Sequence, residues 1–183
     1  MRKLIVSAWI TLDGIFDAEL MNEWFNPFDS AERQDYIRNG ILECDAFLFG
    51  RKTYEMLAPY WSSLKNNEMG VADQLNSSPK YVVSSTLKNA GWNNSTIISQ
   101  NVIEEIKKLK QQSGGNIQIE GSAELIAGMM KAGVIDEYRL LVHPVIIGKG
   151  KRFFKDNAQA NNLELVKAQA LDKEVLALYY RQK

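Results

Sequence analysis

The 183-residue chain has little of the chemistry that disulfides and metal sites require, because it contains one cysteine and one histidine. A single cysteine, Cys44, excludes a disulfide within the chain, and we expect it to be a buried, unreactive thiol at the end of a helix. With His143 as the only imidazole, the usual ligands of a zinc site are hard to assemble, so we predict no metal. We expect His143 to be a hydrogen-bonded core residue rather than a catalytic acid.

The chain also lacks an excess of either charge, since 22 lysine and arginine residues balance 22 aspartate and glutamate residues. Without a long-range basic field we expect neither nucleic acid nor a membrane surface as a partner. No apolar run approaches the roughly 20 residues of a membrane-spanning helix. The apolar stretch after the basic start is short for a signal peptide and lacks a cleavage pattern, so we interpret residues 3–10 as a buried strand. We therefore expect a cytoplasmic protein.

Strand-like runs alternate with helical stretches over most of the chain, which is typical of a parallel sheet covered on both faces. These runs lie at residues 3–10, 45–49, 81–84, 96–98 and 117–120. After residue 133, further strand-like runs follow without intervening helices, at residues 138–147, 163–167 and 175–180. We therefore predict one α/β domain over residues 1–183, with a mixed sheet.

Two helix starts are predicted from the spacing of a capping box, in which a cap residue is followed three positions later by an acid. Asp29 precedes Glu32 at this spacing, and Asn101 precedes Glu104. We therefore expect Asp29 and Asn101 to accept hydrogen bonds from the first turns of their helices.

Two strand-to-helix junctions carry residues that suit a phosphate. In the first, an apolar run ends at Gly50-Arg51-Lys52-Thr53, and in the second, Gly121-Ser122 separates residues 117–120 from a helix. Backbone N–H groups and the positive end of a helix dipole meet at such turns, and the first turn adds two cations. Two anion-binding turns on one sheet indicate a ligand with more than one phosphate, which is a dinucleotide or a phosphorylated nucleotide.

The ordered motifs of the chain closely resemble those of the dihydrofolate-reductase-like family, which includes the reductase domain of bacterial riboflavin biosynthesis. The resemblance covers almost the whole chain and rests on Ile10 to Gly14, Phe49 to Glu55, Lys80 to Leu87, Glu120 to Leu125 and Ile135 to Gly150. It implies a three-layer α/β/α fold with a central mixed sheet, a parallel core and antiparallel C-terminal strands. It also implies an NADPH-dependent reductase that transfers hydride to a small pterin- or pyrimidine-like heterocycle.

The resemblance further implies which residues hold the cofactor. The phosphates of NADPH would face Gly50, Arg51, Lys52 and Thr53, and its pyrophosphate would lie against Gly121, Ser122, Ala123 and Glu124. Ser84 and Ser85 would line the pocket of the 2′-phosphate, and Ala8, Asp13 and Gly14 would approach the nicotinamide ring. Many relatives carry a further basic residue beside the position of Ser85, and its absence here leaves NADH open as the cofactor.

Two helix carboxylates compete for the role of catalytic acid. Asp29 follows Pro27-Phe28 much as the acid of the family follows its proline, whereas Asp35 lies at the border of the apolar face. Desolvation at that border would raise the pKa of Asp35, which suits a proton relay, although a solvated aspartate is the ordinary alternative for both. Trp24 and Phe28 lie where a lid is expected, and they either stack on a flat substrate or fasten the loop to the core.

Other functions remain open at this stage. A stand-alone riboflavin-pathway 5-amino-6-(5-phosphoribosylamino)uracil reductase is one, although the chain lacks the His-x-Glu and Pro-Cys-x-x-Cys pattern of the deaminase half. A non-catalytic nucleotide-binding module and a flavin-binding oxidoreductase are the others. The apolar runs at residues 163–167 and 175–181 predict a homodimer through sheet edges or faces.

Overall fold

The computed structural model describes residues 1–155 and 160–183. Within them, eight strands form one sheet in the order β4-β3-β2-β5-β1-β6-β8-β7. The strands are β1 (Leu4–Thr11), β2 (Cys44–Gly50), β3 (Lys80–Val83), β4 (Ser95–Ile98), β5 (Asn116–Gly121), β6 (Glu137–His143), β7 (Leu163–Ala170) and β8 (Leu176–Gln182). Strands β1 to β6 pair in parallel, and β8 is antiparallel to both of its neighbours.

Helices cover both faces of the sheet. They are α1 (Met21–Trp24), α2 (Ala31–Leu42), α3 (Arg51–Ser63), α4 (Ala72–Ser77), α5 (Val102–Gln111) and α6 (Ala123–Lys131). Because side chains alternate along a strand, Leu4 and Val6 of β1 pack with α5 and α6, whereas Ile5 packs with α2, α3 and α4 on the opposite face. The predicted three-layer fold with a mixed sheet is confirmed. No helix of the described ranges combines the length and the apolarity needed to cross a membrane.

Neither predicted capping box forms, although α5 begins directly after Asn101 as predicted. Helix α2 is capped by Ser30, whose Oγ accepts a hydrogen bond from the backbone N–H of Arg33 at 3.2 Å. The Asp29 carboxylate instead binds the guanidinium of Arg33, which is buried. Asn101 adopts a left-handed conformation with φ of 49° and makes no side-chain capping hydrogen bond. In the case of Asp29, an ion pair with a buried arginine competes with the local cap.

Two further sequence predictions concern the ends of elements. Strand β6 ends at His143, short of the predicted residue 147, because Pro144 has no N–H to donate to the sheet. Cys44 is the first residue of β2 rather than part of a helix end. It is buried, and this burial raises the pKa of its thiol to about 12, which agrees with an unreactive side chain.

Candidate functional site

The two predicted phosphate turns lie side by side on one rim of the sheet. Gly50 ends β2 and begins α3, and Gly121-Ser122 joins β5 to α6. Strands β2 and β5 are parallel neighbours, so their carboxyl ends meet at the same rim. A Cβ placed on Gly50 would lie 2.9 Å from Ser122 Oγ and 3.1 Å from the Ser122 backbone nitrogen. The junctions are therefore in direct contact.

The first turns of both helices are available to an anion. Helix α3 has 13 residues, and its cap residue, Gly50, has no side chain that could cap it. Helix α6 has 9 residues, and the side chain of its cap residue, Ser122, makes no capping hydrogen bond. Gly121 has φ of +126°, and a Cβ there would lie 3.1 Å from Thr53 Oγ1, so both backbone conformation and close approach require glycine. The Gly121–Ser122 peptide bond is cis. Two helix dipoles thus converge where the sequence predicts the phosphates.

The corner beside Arg51 differs from the predicted 2′-phosphate pocket. Arg51 donates to Thr86 Oγ1 at 2.6 Å through Nη1 and to the carboxylate of Glu55 at 2.8 Å through Nε. The Ser84 hydroxyl closes its own turn, since its oxygen accepts hydrogen bonds from the backbone N–H groups of Thr86 and Leu87. Ser85 is exposed. Arg51, Thr86 and Ser85 are therefore the groups that could face a phosphate monoester here, and sequence reasoning did not identify the pairing of Arg51 with Glu55.

The remaining charged residues of the two turns point toward solvent. Lys52 is exposed at the start of α3. Glu124 is also exposed, and its carboxylate lies 3.5 Å from the ammonium group of Lys155. At the second turn, the groups available to an anion are therefore the backbone N–H groups around Ser122 and Ala123 rather than the Glu124 side chain.

The residues predicted to approach the nicotinamide have structural roles. The Ala8 side chain is buried on the face that packs with α5 and α6, so at most its backbone could contact a ring on the rim. The Asp13 carboxylate accepts hydrogen bonds from Thr11 Oγ1 and from the backbone N–H groups of Ile147 and Gly148, which lower its pKa. Asp13 thereby ties the loop after β1 to the loop after β6. Gly14 has φ of +78° in this turn.

Phe16, which sequence reasoning did not identify, extends from the same loop toward the junctions. Its ring lies 3.5 Å from the position of a Cβ on Gly121, and it packs edge-on against Phe153 with ring centroids 5.5 Å apart. The loop after β1 therefore borders the rim through Phe16. The signal in the sequence was an aromatic residue two positions after the Asp13-Gly14 turn.

Glu120 is half-buried and lies directly before the second junction. Its nearest hydrogen-bond donor is the side-chain amide of Gln118, and burial raises its pKa. Val6 pairs with Ile119, so continuing that register places Ser7 of β1 beside Glu120. Sequence reasoning used Glu120 only as a strand end, although an acid between an apolar strand and a glycine turn was a visible signal.

A pocket of about 310 Å³ lies between α2 and strands β7 and β8. We call it the α2 pocket, and its lining includes Ser7, Trp9, Glu32, Asp35, Tyr36, Ile37, Glu43, Arg139, Lys167, Gln169, Leu171 and Tyr179. Asp35 is 57% exposed and pairs with Arg38 at 2.6 Å, so the predicted desolvation of its carboxyl group is wrong. Hydrogen bonds from Gln34 and Arg33 lower the pKa of Asp29, which does not suit a proton donor.

The predicted lid aromatics fasten the loop to the core. Trp24 is 2% exposed and donates from Nε1 to the backbone oxygen of Asp17 at 3.3 Å, so neither face of its ring is open to a substrate. Phe28 is half-buried, with its ring 6.0 Å from that of His143. His143 is fully buried with Nδ1 3.2 Å from the backbone oxygen of Ile10, and burial lowers its pKa to about 4. Its predicted role as a core residue is confirmed.

Comparison with known proteins gives matches over nearly the full chain. The model of the family described as the RibD C-terminal domain matches residues 2–177. YyaP of Bacillus subtilis (strain 168) is 31% identical over 184 residues, covering 98% of this chain and 94% of YyaP. A putative riboflavin biosynthesis protein from Shewanella sp. PV-4 has a TM-score of 0.76 at 18% identity, with 99% of both chains covered. A pyrimidine reductase-like protein from Corynebacterium diphtheriae has a TM-score of 0.70 at 13% identity, and the match covers 100% of this chain and 92% of that protein.

Proposed function

Because the chain belongs to the RibD C-terminal domain family, a family of reductases, we propose that it is an NADPH-dependent reductase of a small pterin- or pyrimidine-like heterocycle. The observation that carries this proposal is the contact between Gly50 and Ser122, which brings two uncapped helix starts to one rim. A dinucleotide has phosphates at two places along its length, and two adjacent helix starts suit such a ligand. NADPH, when bound, supplies the hydride.

The residues present fit this cofactor. The backbone N–H groups after Gly50 and Ser122 hold the pyrophosphate region, with Thr53 between the two turns. Arg51 holds the 2′-phosphate together with Thr86 and Ser85, because a guanidinium and two hydroxyl groups suit a phosphate monoester. Phe16 borders the rim and excludes water from it.

Glu120 is the proton donor in this proposal. Reduction of a C=N bond requires a proton at the nitrogen, and a carboxyl group can supply it near neutral pH only if its pKa is raised. Burial raises the pKa of Glu120, and the residue lies immediately before the junction at Gly121. The side chains of Asp29 and Asp35 are more than half exposed, whereas Glu120 is half-buried. Glu120 therefore replaces them as the catalytic residue.

The assembly and location of the protein are part of the proposal. Strand β7 is the edge of the sheet, and Leu165 and Val166 of β7 and Leu176 of β8 are exposed. An apolar edge of this kind is suited to pairing with a second copy, so we expect a homodimer. As a separate part of the proposal, we expect the protein to act in the cytoplasm.

Stand-alone 5-amino-6-(5-phosphoribosylamino)uracil reductase is a second candidate function. It is supported by membership of the RibD C-terminal domain family and by the likeness to the putative riboflavin biosynthesis protein of Shewanella. Oxidation of NADPH in the presence of this phosphorylated pyrimidine, with none in the presence of dihydrofolate, would select it over a pterin reductase.

Titration of the protein with NADPH, followed by nicotinamide fluorescence, tests cofactor binding. We expect saturable binding, about tenfold weaker in Arg51→Met, because a charge-assisted contact to a phosphate is lost. Lys107→Met removes an exposed cation of α5 and serves as the matched control. An absence of saturable binding at millimolar NADPH would overturn the proposal. Binding without single-turnover hydride transfer to any pterin, pyrimidine or quinonoid acceptor would instead identify a non-catalytic nucleotide-binding module.

A further inference from the structure

Glu120 lies on a β-bulge at the end of β5. Two successive residues of β2 pair with Ile119 and Gly121, which leaves Glu120 as an extra residue between them. Bulges of this kind redirect a side chain and are frequent next to active sites. The regular alternation of the strand therefore does not set the orientation of the Glu120 carboxyl group, and a neighbouring side chain can decide it.

Gln118, two residues earlier in β5, is that neighbour. It is 2% exposed and lies between Ile5 of β1 and Phe47 of β2, which are both fully buried. A buried amide among apolar neighbours is unfavourable unless both of its ends are hydrogen-bonded. Gln118 meets this requirement, because its Nε2 donates to Oε1 of Glu120 and its own Oε1 lies 3.5 Å from Sγ of Cys44.

Cys44 fixes which end of the Gln118 amide faces Glu120. Burial raises the pKa of the Cys44 thiol to about 12, so the sulfur keeps its proton and acts as a hydrogen-bond donor. A donor on that side requires the amide oxygen of Gln118, which leaves the NH₂ group for the carboxyl group. The unreactive thiol therefore orients a polar side chain.

The hydrogen bond from Gln118 decides where the proton of Glu120 is carried. Oε1 accepts the N–H group, so in the neutral carboxyl group the proton is on Oε2. When Oε2 gives this proton to the nitrogen of a C=N bond, whose carbon takes the hydride of NADPH, negative charge develops on the carboxyl group. The contact from Gln118 strengthens at that moment, because hydrogen bonds to charged acceptors are stronger.

We propose that Gln118 is a positioning residue, which holds Oε1 of Glu120 so that Oε2 presents the proton to the hydride acceptor. This inference rests on the proposed function, in which Glu120 is the proton donor. It adds the residue that orients the donor and stabilises the carboxylate formed when the proton leaves.

Gln118 also opposes the effect of burial on Glu120. Burial raises the pKa of this carboxyl group, whereas the N–H group of Gln118 favours the charged carboxylate and lowers the pKa. Across the sheet, Ser7 of β1 and then Arg139 of β6 follow Glu120. Arg139 is paired with Glu43 at 2.6 Å and with a second glutamate, so its charge is offset. Removal of the Gln118 amide should therefore raise the pKa of Glu120.

Gln118→Met tests the proposal, because methionine fills the buried site without an N–H donor. The pKa of Glu120 is measured in the full chain by ¹³C NMR of carboxyl-labelled glutamate, with Glu120→Gln identifying the signal. We expect this pKa to rise in Gln118→Met. With dihydrofolate or 5-amino-6-(5-phosphoribosylamino)uracil as the acceptor, the falling limb of the pH–rate profile should move to higher pH. The maximal kcat should fall about tenfold with little change in KM, because the contact is strongest in the transition state.

Gln34→Met is the matched control. Gln34 is exposed and donates to the carboxylate of Asp29 at 2.8 Å, so this substitution removes the same kind of hydrogen bond from a different acid. It should leave kcat and its pH dependence unchanged. Gln118→Met combined with Glu120→Gln should be no slower than Glu120→Gln alone, because a positioning residue acts only through the group that it holds.

The outcomes separate this proposal from the proposed function. An unchanged pKa of Glu120 in Gln118→Met, or a loss of rate without a shift of the pH profile, would overturn the role of Gln118 and leave the reductase proposal intact. A raised pKa in a protein that reduces neither acceptor would establish the contact and overturn the reductase proposal, and the catalytic role of Gln118 with it. Should Gln118→Met fail to fold, Cys44→Ala releases the amide oxygen and should raise the pKa of Glu120 by a smaller amount. An unchanged pKa there would also overturn the role of Gln118.

Discussion

Gly50 and Ser122 touch across strands β2 and β5, although they are 72 positions apart in the sequence. Space for a side chain is absent at Gly50, since its Cβ would lie 2.9 Å from Ser122 Oγ. The contact holds the starts of α3 and α6 together at one rim of the sheet. Both helix starts lack a side-chain cap, so their first-turn N–H groups can face one ligand.

The contact makes Gly50→Ala a direct test of the rim. An added methyl group forces the two junctions apart, and we expect NADPH binding to weaken at least about tenfold, equivalent to about 1.4 kcal/mol. Gly128→Ala is the control, because Gly128 lies inside α6 with no atom within 4 Å of its Cβ position. That substitution should stabilise the fold by about 0.5–1 kcal/mol and leave binding unchanged. Unaltered NADPH affinity in Gly50→Ala would contradict a shared phosphate site.

Glu55 is predicted to limit selectivity for the 2′-phosphate. Its carboxylate binds Arg51 at 2.8 Å, so it partly neutralises the cation that would face that phosphate. We expect Glu55→Gln to strengthen NADPH binding about threefold to tenfold at low salt and to leave NADH binding unchanged, because only NADPH carries the extra charge. Glu104→Gln on α5 controls for the change in net charge. Parallel changes in the two cofactors' affinities would argue against Arg51 as the 2′-phosphate contact.

Glu120 is predicted to act after the cofactor has bound. In Glu120→Gln we expect turnover to fall about 10²-fold or more, the usual contribution of a general acid, with an unchanged dissociation constant for NADPH. The wild-type rate should fall as pH rises through the raised pKa of Glu120, since the carboxyl group then loses the proton that it donates. Stopped-flow absorbance at a series of pH values measures both effects. A pH profile that survives the substitution would assign the proton to another group.

His143 is predicted to make stability depend on pH. Burial lowers its pKa from the ordinary 6.5 to about 4, so between these values the unfolded chain binds a proton that the folded protein does not. The free energy of unfolding is therefore not reduced by His143 above pH 6.5, where the imidazole is neutral in both states. As pH falls toward 4, this free energy decreases by up to about 1.4 kcal/mol per pH unit. Urea unfolding between pH 7 and 4.5 should give a shallower dependence in His143→Gln. Curves of equal slope would refute this role.

Local patterns predicted the α/β class, the mixed sheet and the two turns, because each depends on residues that are close in sequence, whereas the three-layer fold was implied by the family resemblance. Gly50 and Arg51 follow an apolar strand directly, and so do Gly121 and Ser122. The same approach placed Asp35 in a desolvated site, where the structure instead shows an exposed ion pair with Arg38. Local pattern also could not show that the side chain of Ala8 is buried on the face that packs with α5 and α6.

The sequence by itself determined the α/β class and the helix that follows each glycine turn, since periodicity and turn chemistry act over a few residues. Only the tertiary structure decided that β5 lies between β2 and β1. That strand order brings Gly50 against Ser122 and desolvates the carboxyl group of Glu120. Burial and hydrogen bonding of this kind depend on residues far apart in the chain, which no local pattern encodes.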